Sequence, residues 1–331
     1  MVDTRDKKVL ELIKRITCGE RRALSQAITF SESTRKDHRD IAKGVLSKLN
    51  NNNDKTVRIA VTGSPGVGKS TFIESFGLDL INKGLNVAVL AVDPSSVSSG
   101  GSILGDKTRM ELLSKERRAY IRPSPTKGSL GGTNLRTQEA IILCEAAGFD
   151  VILIETVGVG QSETMASQMV DVFCLLLGPS GGDELQGVKR GITEISDLIL
   201  VNKCDGQLKN IAETTRAEYS KALQFFRRRE IDAPSYPKVL TISSIEKSGL
   251  RDTWKEIKNL ITWRKQSGMF FKIREEQKLT WFHREITNCI NLRIENSEKI
   301  LKKKKELEKK IRKGLTLPLN AAEKLALEII R

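Results

Sequence analysis

Short apolar runs alternate with amphipathic stretches through the middle of the chain, a rhythm that predicts alternating strands and helices. Val57-Arg58-Ile59-Ala60-Val61-Thr62 is β-branched and mostly apolar, and similar runs occupy 87–92, 151–154, 172–177, 198–201 and 238–242. Runs this continuously apolar suit strands buried on both faces, as in a parallel sheet covered by helices. Each gives way to polar or glycine-rich residues: Asp93-Pro94, Glu155-Thr156, Gly178-Pro179, Asn202-Lys203 and Ser243-Ser244. Open α/β sheets place their ligands at such strand ends.

The flanks read differently. Val9, Leu10, Ile13 and Ile16, then Leu24, Ala27 and Ile28, repeat at helical spacing, and the polar hinge Asn50-Asn51-Asn52-Asn53-Asp54 follows. From Trp263 the pattern becomes charged helix. Trp281, Ile286, Ile290 and Ile294 suggest one amphipathic helix, and Ile300, Leu307 and Ile311 lie on one stripe of a second helix, with Lys302 to Lys305 among its exposed positions. Residues 314–318 break this helix before a last one at 321–330. The expected organisation is a helical N-terminal extension (1–54), an α/β domain (55–262) and a helical C-terminal arm (263–331). The arm carries little apolar surface for its length. It is expected to pack on another subunit or on the domain's flank, and a dimer arm is the favoured expectation.

Between the first strand and the helix beginning Thr71-Phe72-Ile73 stands Gly63-Ser64-Pro65-Gly66-Val67-Gly68-Lys69-Ser70. This is the G-x-x-x-x-G-K-[ST] phosphate loop, in the strand-then-helix setting that gives the motif its meaning. Its glycines let successive N–H groups converge on one anion at a helix N-terminus. Lys69 is placed to reach the β and γ phosphates, and the Ser70 hydroxyl to ligate Mg²⁺. The prediction is an α/β P-loop NTPase: a three-layer fold with a mostly parallel sheet, plus helical N-terminal and C-terminal extensions.

Asn202-Lys203-Cys204-Asp205 ends a later strand, and N-K-x-D in that place reads guanine. The Asp205 carboxylate can accept from guanine N1 and N2, a pair of donors that adenine lacks; Asn202 can bond N7, and the Lys203 stem can pack on the ring. Ser243-Ser244 at the next strand end can offer backbone N–H to guanine O6, or can be an ordinary turn; both readings stand. Glu155-Thr156-Val157-Gly158 occupies the place of the D-x-x-G of many GTPases, with Glu155 aimed at the metal and the Gly158 N–H at the γ phosphate. Asp93 and Asp106 are further carboxylates for Mg²⁺. Three carboxylates plus Ser70 exceed what Mg²⁺ ordinarily takes directly, and Asp106 reads equally as a salt-bridge residue. Lys69, Lys107, Arg109 and Lys189 are candidates to neutralise charge during hydrolysis, and Gln161 is either a water-orienting group or a solvated loop residue. No catalytic base is evident, so slow intrinsic turnover accelerated by a partner is expected.

The net charge of +15 across 331 residues raises the possibility of nucleic acid. Between Arg264 and Lys313, however, sixteen basic and seven acidic residues supply +9 of it, with few aromatics and no RNA-binding signature. A solvated helix face is the expectation there, with neither nucleic acid nor membrane as partner. Five scattered cysteines without C-x-x-C spacing read as reduced thiols, two histidines make no metal cluster, and no apolar run reaches a membrane span. The first residues carry no signal-peptide pattern, and a cytoplasmic location is expected.

Taken together, these motifs resemble the MeaB/ArgK-type GTPases, the group associated with methylmalonyl-CoA mutase. The matching segments are 63–70, Val92-Asp93-Pro94-Ser95-Ser96, 105–110, Glu155 to Ser162, Gly182-Asp183-Glu184-Leu185-Gln186-Gly187-Val188-Lys189-Arg190-Gly191 and 202–205, with Gly19 to Leu24 in the leader. The resemblance spans roughly residues 8–262; the arm matches only in its helical, basic character. It implies a relative of signal-recognition and metallochaperone GTPases that dimerises through C-terminal helices. It implies a GTP-driven chaperone that loads and protects the adenosylcobalamin of the mutase. Lys69, Ser70, Asp93, Asp106 and Glu155 would then surround Mg·GTP, and residues 183–190 would form a third switch signalling to the mutase through Gln186 and Lys189. Lys69, Glu155, Gln186 and Lys189 are the catalytic candidates. The phosphates would lie on Gly63, Ser64, Pro65, Gly66, Val67, Gly68, Lys69, Ser70 and Thr71. Cys204 departs from the Ala often found there, without consequence for base specificity. A metal-delivery GTPase would require Cys/His clusters, and a transport-system kinase, a label some relatives carry, would not need Asn202 and Asp205.

Overall fold

Seven strands build one sheet: β1 (Val57–Thr62), β2 (Val87–Val92), β3 (Ala119–Arg122), β4 (Val151–Thr156), β5 (Val172–Leu177), β6 (Leu198–Val201) and β7 (Lys238–Thr241). Their spatial order is β3-β2-β4-β1-β5-β6-β7 and every pairing is parallel. The computed structural model describes residues 4–49, 54–92, 110–123, 130–156, 162–179 and 190–330. Six of the strands coincide with the apolar runs of the sequence. The seventh, β3, is a four-residue edge strand, Ala-Tyr-Ile-Arg, too short and too charged at its flanks to stand out as a run.

Helices α1 (Thr4–Thr17), α2 (Arg21–Glu32) and α3 (Lys36–Lys48) precede the sheet. Among the described residues, α4 (Lys69–Asn82), α5 (Glu111–Lys115), α6 (Leu130–Ala146), α7 (Ser162–Ser167), α8 (Arg190–Ile195), α9 (Lys209–Leu223) and α10 (Leu250–Gln266) follow within the sheet-bearing unit. The period-2 rule sorts the strand residues between layers. Ile59 and Val61 of β1, Cys174 and Leu176 of β5, and Leu198 and Leu200 of β6 face Phe72, Phe76 and Leu80 of α4 and Trp254 and Ile257 of α10. Leu175, Leu177, Ile199 and Val201 face the other way, onto Ala212 and Tyr219 of α9. This is helix-sheet-helix layering, and it explains why β5 and β6 are buried at every position.

The chain divides into two compact units, Met1–Gln277 and Lys278–Arg331, and α11 (Met269–Asn296) runs through the division. In the first unit the N-terminal ends of the strands close over a buried ionic network. Arg58 of β1 makes a two-pronged contact with Glu145 at 2.8 and 2.9 Å, Arg274 of α11 does the same to Asp171 at 2.8 and 2.7 Å, and Arg264 of α10 donates to Asp197 at 2.6 Å. The expectation of a solvated basic face therefore fails at Arg264 and Arg274: each is buried because a buried carboxylate awaits it. Burial pushes the Asp171 and Asp197 carboxyls up, but Arg274 at the first and Arg264 and Arg229 at the second outweigh it, and both lie below the ordinary value.

In the second unit α12 (Glu298–Arg312) and α13 (Pro318–Ile330) form a hairpin around Ile300, Leu307 and Ala321. The Ser297 hydroxyl caps α12 by accepting from the Ile300 N–H, and Lys299 pairs with Glu328 at 2.9 Å. Among the described residues no helix is long and apolar enough to cross a membrane.

Candidate functional site

The strand order reverses about β1: β4, β2 and β3 lie on one side, β5, β6 and β7 on the other. The crevice at the C-terminal ends of β1, β4 and β5 is thus a topological switch point. The phosphate loop fills it, leaving β1 at Thr62 and entering α4 at Lys69. Gly63 has φ +147°, and a Cβ there would stand 2.2 Å from the Leu176 carbonyl oxygen. Gly68 has φ +92°, and a Cβ there would stand 2.7 Å from Asn202 Nδ2. Neither position admits a side chain without movement of its surroundings.

Lys69 Nζ curls back over the loop, donating to the carbonyls of Gly63 at 2.7 Å and Ser64 at 3.1 Å. Burial lowers the Lys69 pKa, and the charges of Glu155 and Glu163 oppose that fall. The Ser70 hydroxyl donates to Glu155 Oε1 at 2.9 Å, so a loop hydroxyl and the β4 carboxylate meet where the sequence placed both. Behind them the buried Thr156 hydroxyl donates to Thr62 Oγ1 at 2.8 Å, joining the ends of β4 and β1.

The base-reading motif follows β6. Asn202 is buried, and its Nδ2 donates to the Val67 carbonyl at 2.9 Å. Its Oδ1 accepts from the Ser244 N–H at 3.1 Å and the Ser244 hydroxyl at 2.8 Å. Lys203 adopts φ +61° and donates from Nζ to the Gly66 carbonyl at 2.9 Å. The Ser243 hydroxyl donates to Asp205 Oδ2 and accepts from the Glu246 N–H at 3.1 Å. The backbone N–H groups of Ser243 and Ser244, offered by the sequence to guanine O6, are engaged within the protein, on Ser248 O and Asn202 Oδ1. Their hydroxyls fix the Asp205 and Asn202 side chains.

The phosphate-loop motif and the Asn202–Asp205 motif are joined through the Asn202 and Lys203 side chains. Residues 24–299 match the family model described as methylmalonyl Co-A mutase-associated GTPase MeaB. The chain belongs to the MeaB family. A probable GTPase of Mycobacterium tuberculosis is 46% identical over 93% of this chain and 91% of its own length. GTPase ArgK of Escherichia coli is 46% identical over 83% and 82%, and the mitochondrial methylmalonic aciduria type A homolog of Mus musculus is 44% identical over 93% and 76%. A crystal structure described as LAO/AO transport system kinase superposes with a TM-score of 0.74 at 34% identity, each chain covered in full.

Membership of MeaB makes this a guanine-nucleotide-binding GTPase with a P-loop fold. Of the residues singled out in the sequence, the structure gathers Gly63 to Thr71, Glu155, Asn202, Lys203, Asp205, Ser243 and Ser244 around the crevice. Asp93, Asp106, Gly158, Gln186 and Lys189, with Lys107, Arg109 and Gln161, lie outside the described residues. Two further residues at the crevice were not singled out as site residues in the sequence. Glu163, buried at the start of α7, bears on Lys69 through its charge, and Thr62 pairs with Thr156. A carboxylate just beyond the glycine-rich 158–161 segment was the available clue to the first.

Proposed function

We propose that this chain is a GTP-driven chaperone that gates adenosylcobalamin loading of methylmalonyl-CoA mutase or a related acyl-CoA mutase. The single observation that carries the nucleotide half is the Asn202 bridge, which joins the phosphate loop to the guanine reader. The partner half rests on the family description and on the relative named for methylmalonic aciduria.

In this reading Gly63 to Thr71 cradle the phosphates, and Lys69 exchanges its loop carbonyls for β and γ oxygens. Asp205 reads guanine N1 and N2, while Asn202, Ser243 and Ser244 hold the reader in register. Ser70 and Glu155 present hard oxygen donors 2.9 Å apart, which fit Mg²⁺, and Asp93 and Asp106 would be further carboxylates for it, at least one of them acting through water. When bound, Mg²⁺ would supply charge neutralisation at the phosphates. Gly158 would sense the γ phosphate, and Gln186 and Lys189 would relay its loss to the mutase. With Lys69, Glu155, Gln186 and Lys189 as the catalytic set and no general base among them, intrinsic turnover is slow. We further propose a homodimer through the C-terminal arm: Phe282, Ile286 and Ile290 form an exposed apolar stripe at four-residue spacing on α11.

The test is spectroscopic. Apo-mutase is supplied with adenosylcobalamin by its loading enzyme, in the presence of this chain and either GTP or a non-hydrolysable analogue. Loading that depends on hydrolysable GTP supports the reading; loading indifferent to the chain and its nucleotide rejects it.

A further inference from the structure

Ser75 lies in the second turn of α4, more than a turn beyond the phosphate loop, and is buried. A serine inside a helix commonly returns its hydroxyl to the carbonyl four residues back. This one does not. Its Oγ donates at 2.7 Å to the Ser244 carbonyl, 169 residues away in the chain. The bond is buried, so without it a carbonyl oxygen of the 243–244 turn would be left without its partner away from water.

The bond closes a ring. Val67 leads through the backbone into α4 and Ser75. Ser75 holds Ser244, Ser244 holds Asn202 Oδ1, and Asn202 Nδ2 returns to Val67 O at 2.9 Å. Phe72, Ile73 and Phe76 are fixed in the core on either side of Ser75, so the hydroxyl is anchored to the most rigid part of the fold. The adjacent Ser243 hydroxyl is the one that donates to Asp205. The position of the Asp205 carboxylate therefore traces back, through one turn of backbone, to the Ser75 hydroxyl.

We propose that Ser75 is a positioning residue for guanine recognition. Its hydroxyl sets the Ser243–Ser244 turn at the height where Asp205 meets the N1 and N2 edge of the base. The proposal rests on the guanine-site reading given above. Ser75 contacts neither phosphate nor base; it acts through Ser243 and Ser244. Its removal therefore blunts selectivity for the guanine edge, whereas a loss of packing alone would weaken all nucleotides alike.

The experiment measures dissociation constants of full-length wild type and Ser75→Ala for GDP, for inosine diphosphate, which lacks the 2-amino group, and for ADP, together with thermal unfolding. Ser75→Cys, close in volume with a weaker donor, serves as the second variant if the alanine protein is insoluble. The expected result is a GDP affinity lowered about tenfold, with the GDP-to-inosine diphosphate ratio reduced towards one. An unchanged ratio overturns the proposal, whether or not overall affinity or melting temperature falls, because it leaves the hydroxyl only a packing role. A wild type that prefers GDP, paired with a variant of unchanged ratio, overturns the Ser75 role alone. A wild type with no preference for GDP over ADP overturns the guanine reading and the Ser75 role together.

Discussion

Asn202 Nδ2 stands 2.9 Å from the carbonyl oxygen of Val67, so the residue expected to read the base also holds the phosphate loop. One side chain makes three hydrogen bonds, one to the loop and two to Ser244, all in the buried interior. Base and phosphate recognition are therefore mechanically continuous, and damage to either is felt by both.

Asn202→Ala removes all three bonds and leaves the Val67 carbonyl buried without its donor. Each such loss costs about 1 kcal/mol or more, so a stability loss of roughly 2–4 kcal/mol is expected. Thermal or urea unfolding reads the stability, and calorimetry reads a GDP affinity lowered by at least about tenfold. Unchanged GDP affinity would show that the two loops do not need each other.

Gly68→Ala sets a methyl group 2.7 Å from Asn202 Nδ2 on a backbone at φ +92°. The expected outcome is a folded protein with its far-ultraviolet dichroism intact and nucleotide binding weakened by about two orders of magnitude, from a left-handed strain of ~1–2 kcal/mol plus the displaced Asn202. Fluorescent GDP titration measures it.

Ser70→Ala removes one of the two oxygen groups that meet at the phosphate loop, and Glu155→Gln removes the negative charge of the other. Chelating Mg²⁺ with EDTA is expected to weaken GTP binding strongly in wild type and far less in either variant. Steady-state hydrolysis should fall in both by at least about tenfold. Equal sensitivity to EDTA in wild type and variants would exclude the pair from the metal site.

The ionic network at the other end of the sheet gives a pH prediction. Asp171 and Asp197 lie below their ordinary value of 3.8 in the folded chain, with Arg274 and Arg264 outweighing the effect of burial. A carboxyl whose folded pKa is depressed stabilises the fold above its unfolded pKa, and this contribution drains away as pH falls through the folded value. Unfolding free energy should thus be insensitive to these two groups from neutral pH to about pH 5 and fall steeply below about pH 4. Asp197→Asn is expected to cost about 3–5 kcal/mol at neutral pH, because it leaves the buried Arg264 without its counter-charge while Arg229 keeps Asp232, and to flatten the acid limb.

How far the sequence foretold this structure can be judged from particular residues. The buried strands were legible because a parallel sheet covered on both faces needs continuous apolar runs; β3, an edge strand of four residues ending in Arg122, has no such need and left no mark. The phosphate loop and Asn202 to Asp205 were legible because their chemistry fixes residue types at fixed spacing. The partners of Asn202, Arg264 and Arg274 were not, since each meets groups tens to hundreds of residues distant, and only the folded topology brings them together. A run of positive charge looks the same in sequence whether a residue meets water or, like Arg264, a buried aspartate.

The central claim is that the nucleotide bound by the phosphate loop and the Asn202–Asp205 motif governs a mutase partner. Its most direct test is the dissociation constant for purified methylmalonyl-CoA mutase, measured by calorimetry with this chain loaded with GDP and then with a non-hydrolysable GTP analogue. The account predicts binding whose affinity differs by at least about fivefold between the two states, the lower end of ordinary allosteric coupling. Equal affinity in both states, or no binding in either, would contradict it.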